Sequence, residues 1–166
     1  MNRNTGALRQ DQGCGFTLIE IMIVVSIIGI LGLMIIPKLL KIRDTSNLNV
    51  ARSDLEMLSA AIEQLAIDTE KWPGGMPYGD RGTFPEVWDL AGPTAGLVSN
   101  DGRFTNWAGP YMKVVPHDPW GHDYFLDNDY TIGGTGATVV VVGSFGPNGV
   151  GPNLYDSDDI YSVLLR

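Results

Sequence analysis

The stretch that decides the fold reads Gly15-Phe16-Thr17-Leu18-Ile19-Glu20-Ile21-Met22-Ile23-Val24-Val25-Ser26-Ile27-Ile28-Gly29-Ile30-Leu31 and continues in apolar residues to Ile36. Within residues 16–36 the polar side chains are Thr17, Glu20 and Ser26. As a helix rising about 1.5 Å per residue, this run would be about 32 Å long, enough to cross the hydrocarbon core of a bilayer. A secretory signal peptide has a shorter apolar core, and its small-residue cleavage site follows that core. The run therefore predicts a transmembrane helix.

Glu20 is an acid inside this apolar run. A charged side chain in a spanning helix costs about 3 kcal/mol on insertion scales, and the surrounding Leu, Ile, Val and Phe residues offset that cost by about 4 to 8 kcal/mol. The helix is therefore still expected to insert. Two explanations for the acid remain: it reaches the headgroups of a simple single-pass anchor, or it meets a positive charge from another chain. We favour the second, because it explains why an acid lies there.

The segment from Gly15 to Pro37 resembles the processing site and first helix of type IV pilins and of their relatives, the pseudopilins of type II secretion systems. The resemblance implies that a prepilin peptidase cuts between Gly15 and Phe16 and methylates the new N-terminus at Phe16. It also implies that Glu20 pairs with the N-terminal amine of a neighbouring subunit, since an amine and a carboxylate are tolerated in lipid as a pair. Residues 1–15 would then be a cytoplasmic leader peptide.

Removal of that leader would take away Cys14, the single cysteine of the sequence. The mature chain would then have no disulfide, although small domains outside the cytoplasm commonly use one. Another stabilising element, such as a bound metal ion, is therefore worth looking for.

The long helix is predicted to span residues 16–71. After the apolar run, one amphipathic stripe recurs at steps of three and four, formed by Leu48, Ala51, Leu55, Leu58, Ile62 and Leu65. The stripe could form a coiled-coil seam, but we favour packing against a small sheet of the same chain because the stripe is short. Pro37 should kink or loosen the helix. Trp72-Pro73-Gly74-Gly75 should end it.

Residues 72–166 are expected to form a globular domain that makes the whole chain an α+β protein. Residues 76–108 show no sustained period, which predicts an irregular connection with one helical turn at Pro85 to Leu90. Three antiparallel strands are predicted across the helix stripe, at Tyr111 to Val115, Asp123 to Leu126 and Thr138 to Val142.

The segment Asp118-Pro119-Trp120-Gly121 resembles the turn that joins two strands in the major pseudopilins of type II secretion. Pro at the second position and Gly at the last suit a tight turn, and Trp120 is expected to cover the sheet end. His117 and His122 flank the turn. We predict that they are surface residues rather than a metal pair.

The tail carries three carboxylates in four positions on a Gly-rich loop, Asp156, Asp158 and Asp159. Hard oxygen ligands without His or Cys favour calcium, and the spacing does not fit an EF-hand. The tail also resembles the C-terminal calcium loop of the major pseudopilins. That resemblance implies ligands at the Phe145 carbonyl, Asn148, Asp158 and Asp159, with Asp156 as a further candidate. Two departures are Asn148 in place of an acid and a longer loop; the alternative is a solvated acidic tail.

Charge and composition limit the function. The net charge is −8 and the basic residues are scattered, so nucleic acid is not expected as a partner. The sequence has no Ser/His/Asp set and no phosphate loop, which argues against a membrane-tethered enzyme. The resemblance implies a non-enzymatic subunit of a type II secretion pseudopilus, anchored in the bacterial inner membrane by one span with its globular domain in the periplasm. The alternative is a pilin of an extracellular type IV filament used for adhesion, motility or uptake.

The same resemblance implies the partners of the chain. They are copies of itself in a helical filament, minor pseudopilins, the inner-membrane assembly platform, the prepilin peptidase and the lipid bilayer. Calcium is the implied cofactor.

Overall fold

The computed structural model describes residues 15–82, 85–132, 138–154 and 156–165, with only the backbone described at Pro37. It confirms the predicted α+β class: one long helix is followed by a three-stranded antiparallel sheet. The chain divides into two units, residues 1–42 and residues 43–166. Residues 1–14 of the predicted leader, which include Cys14, lie outside the described residues.

The long helix, α1, runs from Leu18 to Thr69 and contains 52 residues. Its backbone stays helical through Pro37, so the proline does not end the helix, and a kink at this residue stays a prediction. Helical geometry stops where Glu70 takes a positive φ of 56°. The Glu70 N–H donates to the Ala66 carbonyl at 2.9 Å and so satisfies one of the last carbonyls of the helix, and the Thr69 hydroxyl adds a bond to the Leu65 carbonyl at 2.7 Å. A short 3₁₀ turn follows at Pro73–Gly75.

The amphipathic stripe of α1 forms the core of residues 43–166, as predicted. Leu58, Ile62 and Leu65 are fully buried, and Leu55 is 2% exposed. They pack in one cluster with residues of the sheet and of the irregular connection: Trp72, Met76, Leu90, Leu97, Phe104, Tyr124, Leu126 and Val142. The helix also hydrogen-bonds this layer, because the Tyr124 hydroxyl donates to Asp54 Oδ2 at 2.9 Å. Burial raises the pKa of Tyr124, so the hydroxyl stays protonated.

The sheet has the order β1-β2-β3, with both pairs antiparallel. The strands are β1 at Phe125–Thr131, β2 at Thr138–Ser144 and β3 at Ile160–Leu165. One face contributes Leu126 and Val142 to the helix-side core. The other face forms a second cluster with Phe125, Tyr130, Val139 and Val141, covered by Trp88, Phe145, Tyr161 and Val163.

The prediction of a strand at Tyr111 to Val115 was wrong, and the third strand is β3 instead. The N–H groups of Tyr111 and Met112 both donate to the Leu97 carbonyl, at 2.8 and 3.1 Å, rather than to a ladder. Tyr111, Met112 and Val115 pack on the helix-side core, which explains why the segment resembles a strand in sequence, whereas Val114 is 68% exposed. β3 pairs with β2 because the tail returns the chain to the free edge of that strand.

The prediction of a helical turn at Pro85 to Leu90 was also wrong. Val87 forms an antiparallel bridge with Leu126, in which each N–H donates to the other's carbonyl at 2.9 and 2.7 Å. Local turn residues near Pro85 suggested a helix, but this distant pairing holds the backbone extended. β1 begins at Phe125, two residues later than predicted, and extends to Thr131.

Candidate assembly and cation sites

The predicted cleavage site lies in an exposed position just before α1. Gly15 is exposed, Phe16 is 83% exposed, and a Cβ built on Gly15 would meet nothing within 4 Å. Nothing in the described part of the chain therefore requires glycine here for packing. A requirement for glycine would have to come from another protein, such as a peptidase with a narrow pocket. Cleavage between Gly15 and Phe16 stays a prediction.

Thr17 and Glu20 cap the N-terminus of α1. The backbone N–H and the hydroxyl of Thr17 both donate to Glu20 Oε2, each at 2.8 Å, and the Glu20 N–H donates back to the Thr17 hydroxyl at 3.3 Å. This reciprocal arrangement is a capping box, which satisfies donors that the first helical turn leaves unpaired. Glu20 thus has a partner within its own chain, three residues away. Sequence reasoning did not identify this role, although the Thr-x-x-Glu spacing indicates it.

The first part of α1 exposes large apolar side chains on all sides. Within the described part of residues 16–42 they are between 51% and 83% exposed: Phe16, Leu18, Ile19, Ile21, Met22, Ile23, Val24, Val25, Ile27, Ile28, Ile30, Leu31, Leu33, Met34, Ile35, Ile36, Leu39, Leu40 and Ile42. α1 is long and apolar enough to cross a membrane. Apolar surface on this scale has to be covered by lipid or by other chains.

The acidic tail folds back on itself around Asn148. Its amide nitrogen donates to Asp156 Oδ2 at 2.8 Å and to Asp158 Oδ1 at 2.7 Å, and its backbone N–H donates to Asp158 Oδ2 at 3.2 Å. The side-chain oxygen of Asn148 accepts the Val150 N–H at 2.6 Å. The structure therefore brings three of the predicted ligands together, with the nitrogen rather than the oxygen of Asn148 towards the carboxylates.

Asp159 joins the same loop from the end of the sheet. Its Oδ2 accepts the Tyr130 hydroxyl at 3.1 Å and the Asp156 N–H at 3.2 Å. Its Oδ1 is buried and has no hydrogen-bond partner among the described residues. Burial raises the pKa of Asp159. A buried acidic oxygen without a donor is a good position for a cation.

The carboxylates of Asp156 and Asp158 influence each other's ionisation. A hydrogen bond with the Asp158 carboxyl and a second one from Asn148 lower the pKa of Asp156. The neighbouring Asp156 carboxylate, together with desolvation, raises the pKa of Asp158. The two carboxylates are therefore close enough to repel each other, and a cation between them would relieve that repulsion.

The other predicted ligand, Phe145, lies between the sheet and the loop. Its ring stacks on Phe125, with ring centroids 4.3 Å apart, and lies beside Trp88. Gly146 follows with a φ of 62°, and a Cβ there would overlap the Asp158 carbonyl oxygen. The two halves of the loop thus meet at a position where a side chain does not fit.

The Asp118-Pro119-Trp120-Gly121 turn is present, but it precedes β1 rather than joining two strands. Asp118 is 4% exposed. Its Oδ1 accepts the backbone N–H groups of Trp120 and His122 at 3.0 and 2.8 Å, and its Oδ2 accepts the Ser144 hydroxyl at 2.5 Å. Sequence reasoning treated this turn as ordinary and missed Ser144, which lies 26 positions away.

The two histidines beside the turn face different surroundings. His117 is exposed and its Nδ1 lies 2.8 Å from Asp123 Oδ1. The His122 side chain is 35% exposed, and its Nδ1 lies 3.5 Å from Asp118 Oδ2. Each histidine therefore contacts an aspartate of its own turn.

A second group of acids, which the sequence did not suggest, gathers Glu86, Asp127 and Asp129 within 4.8 Å of one another. Asp127 is fully buried and its Oδ1 accepts the Asp129 N–H at 2.9 Å. This is a cluster of acids alone, and we assign it no ligand.

Comparisons with known proteins agree with the geometry. The family model described as type II secretion system (T2SS), protein G matches residues 80–162, and the model of the prokaryotic N-terminal methylation motif matches residues 13–36. The type II secretion system core protein G of Xanthomonas campestris pv. campestris is 31% identical over 89% of this chain and 88% of that protein. That of Pseudomonas aeruginosa is 32% identical over 70% of this chain and 75% of that protein.

A solved structure is also similar. It is the major pseudopilin from the type 2 secretion system of enterohaemorrhagic Escherichia coli, with a TM-score of 0.50 and 27% identity over 75% of this chain and 93% of that one. The matches decide between the two filament types that the sequence left open. The chain belongs to the type II secretion system protein G family and is a major pseudopilin, a structural subunit that polymerises into a pseudopilus.

Proposed function

We propose that this pseudopilin is anchored in the bacterial inner membrane by residues 16–36 and carries its globular domain in the periplasm, where the polymer drives protein export across the outer membrane. The observation that carries the proposal is the exposed apolar surface of α1 between Phe16 and Ile42, which needs lipid before assembly and neighbouring chains after it. The transfer of subunits from membrane to filament would exchange one apolar environment for another. The protein acts by assembly rather than by catalysis.

A membrane fractionation tests this placement. Full-length protein expressed with its secretion system should sediment with the inner membrane, and protease added to spheroplasts should digest the globular domain. Intact-mass measurement of the purified chain should give a start at N-methylated Phe16. A chain that retains Cys14, or a globular domain protected from external protease, would contradict the proposal.

We propose further that Glu20 pairs with the N-terminal amine of a neighbouring copy once Phe16 becomes the first residue. Both capping bonds from Thr17 go to Oε2 of Glu20, so the acid is held at the helix start in a fixed orientation. Minor pseudopilins and the inner-membrane assembly platform are the other partners that we propose. The prepilin peptidase would recognise Gly15 in its exposed position.

The acidic loop is proposed to bind calcium. Asp156, Asp158 and Asp159 would supply carboxylate oxygens and Phe145 its backbone carbonyl. Asn148 would supply its side-chain oxygen after its amide turns over, because its nitrogen is the atom that faces the carboxylates here. The residues fit the ion, because hard oxygen donors converge on one loop and the buried Asp159 Oδ1 lacks a donor. When bound, calcium would neutralise the repulsion between these acids and join the two halves of the tail.

A calcium titration tests this site. At free calcium a hundredfold above its dissociation constant, binding to the folded state adds about 2.7 kcal/mol to the free energy of unfolding. The full-length protein in detergent should therefore melt at a higher temperature in calcium than in chelator, and Asp158→Ala should remove most of the difference. Glu63→Ala, an exposed acid of α1 in a groove beside Ala66 and Tyr78, is the matched control. Magnesium should substitute poorly because it requires strict octahedral geometry. Equal melting temperatures in calcium and chelator would contradict the site.

A further inference from the structure

We infer that Asp118, in the turn before β1, positions the first half of the tail loop, residues 145–149, and thereby sets the cation affinity of that loop. The part of the inference that concerns cation affinity rests on the proposed calcium site. The part that concerns loop order rests only on the contacts of Asp118.

The first connection runs through Ser144 at the end of β2. Asp118 Oδ2 accepts the Ser144 hydroxyl at 2.5 Å, and the oxygen of that hydroxyl accepts the Gly146 N–H at 3.1 Å. Ser144 is fully buried and Asp118 is 4% exposed, so water does not compete strongly for these bonds. The carboxylate orients the hydroxyl, because the hydroxyl proton points to Asp118 and leaves the lone pairs for Gly146. The backbone that follows the Phe145 carbonyl is held in this way.

The second connection runs through His122. Asp118 Oδ1 accepts the His122 N–H at 2.8 Å, which fixes the backbone from which the imidazole projects. A Cβ built on Gly149 would lie 2.5 Å from His122 Nε2, so the ring packs directly against the loop backbone at Gly149. Asp118 therefore supports the loop at both Gly146 and Gly149. Asn148, whose amide meets Asp156 and Asp158, lies between these two supports.

A charged group buried with several donors is favourable only when the donors are well placed, and Asp118 has three. Residues that orient metal ligands without touching the metal commonly change the affinity by about 10- to 100-fold when they are mutated. Asp118 and Ser144 have this role: Ser144 bonds the Gly146 N–H of the proposed ligand loop, Asp118 acts through Ser144 and His122, and neither is a proposed ligand. They are positioning residues.

The experiment measures cation affinity and loop order separately in the full-length protein in detergent. Terbium, which replaces calcium at oxygen sites, is the probe, since the Tyr130 hydroxyl bonded to Asp159 places a sensitising ring beside the loop. The variants are Ser144→Ala, Asp118→Asn and the double variant. Ser59→Ala is the matched control, because it removes a half-buried hydroxyl that donates to the Leu55 carbonyl at 2.7 Å, far from the loop in sequence. Limited proteolysis in chelator measures order between residues 145 and 158.

We expect Ser144→Ala and Asp118→Asn each to weaken terbium binding at least about tenfold. The double variant should be little weaker than either single one, because the asparagine oxygen can still accept the His122 N–H, so both substitutions break mainly the bond between Asp118 and Ser144. The tail should be cleaved faster in these variants than in Ser59→Ala, at equal melting temperature in chelator. If Ser144→Ala and Asp118→Asn match Ser59→Ala in terbium affinity and in the rate of tail cleavage, the inference is overturned. If the wild type binds neither terbium nor calcium but these variants are still cleaved faster in the tail, the calcium proposal fails and the positioning of the loop stands.

Discussion

The two parts of α1 differ in composition and in surface, because residues 18–42 are apolar on all sides whereas residues 43–69 carry one apolar stripe. Between Leu18 and Ile42 the large apolar side chains are more than half exposed, whereas from Ala51 to Ala66 one stripe is almost fully buried in the core of the same chain. The first part needs an apolar environment from outside the monomer; the second part has its own. The first part of the helix therefore serves assembly, and the second part stabilises the fold. Substitutions in the first part should change processing and filament yield, whereas substitutions in the second part should change the free energy of unfolding.

The largest expected effect is on processing at the start of the first part. Gly15→Val should block cleavage and leave the full precursor in the membrane, because it puts a β-branched side chain where the peptidase is expected to need a small residue, while the chain itself leaves open space there. Immunoblotting and intact mass measure the ratio of precursor to mature chain. Gly29→Ala, which also removes an unconstrained glycine of the apolar run, is the control and should be processed normally. Normal processing of Gly15→Val would place the cut elsewhere.

The next effect is on assembly. Glu20→Ala should keep membrane insertion, because the acid disfavours insertion, and should strongly reduce the yield of sheared filaments, because it removes the charge proposed to pair with a neighbouring amine. The Thr17 capping bonds are lost as well. Glu20→Gln separates the two roles, since its amide oxygen still accepts the Thr17 bonds but carries no charge. If Glu20→Gln gives the same filament yield as the wild type, assembly requires the helix cap rather than the charge.

The comparison between the two parts of α1 is tested most directly by changing one leucine to alanine in each part. Leu58 is fully buried and Leu39 is 58% exposed in the same helix. Leu58→Ala should lower the free energy of unfolding by about 2 to 5 kcal/mol, because it leaves a cavity in the core. Leu39→Ala should change it by less than about 0.5 kcal/mol, which is typical of surface positions. Denaturant unfolding of the full chain in detergent measures both. Equal losses would mean that the monomer buries both parts of the helix.

The smallest expected effect concerns the pH dependence of the tail loop. Burial raises the pKa of Asp159 in the folded state, so the folded protein binds more protons there than the unfolded one. Without calcium, this group should therefore make stability fall as pH rises from about 4, the ordinary carboxyl pKa, through the raised value. Asp159→Asn should reduce this fall in chelator, leaving the part that belongs to Asp158, whose pKa is also raised, and should weaken the response to calcium. Melting curves at several pH values, with calcium or chelator, measure both. A fall of unchanged size in Asp159→Asn would assign it to another group.

Much of this protein follows from local pattern. The processing motif, the spanning run and the amphipathic stripe of α1 depend on the order of residues along one helix, and a helix forms its hydrogen bonds within itself. The strand at Thr138–Ser144 was found for a similar reason, because its run of valines favours a buried strand wherever it pairs. The acids of the tail were also visible as a cluster of like charges.

Tertiary structure decided what depends on a distant partner. A strand forms only where another strand accepts its hydrogen bonds, so residues 111–115 attach to Leu97 while Ile160–Leu165 completes the sheet. Val87 is extended because Leu126 pairs with it. Asp118 and Ser144 lie 26 positions apart and meet only because the turn before β1 and the end of β2 come together in the folded domain. The sequence by itself determined the helix, its processing motif and the acids of the tail; the tertiary structure decided the strand pairing and the support of the loop, because those bonds join residues that no local pattern connects.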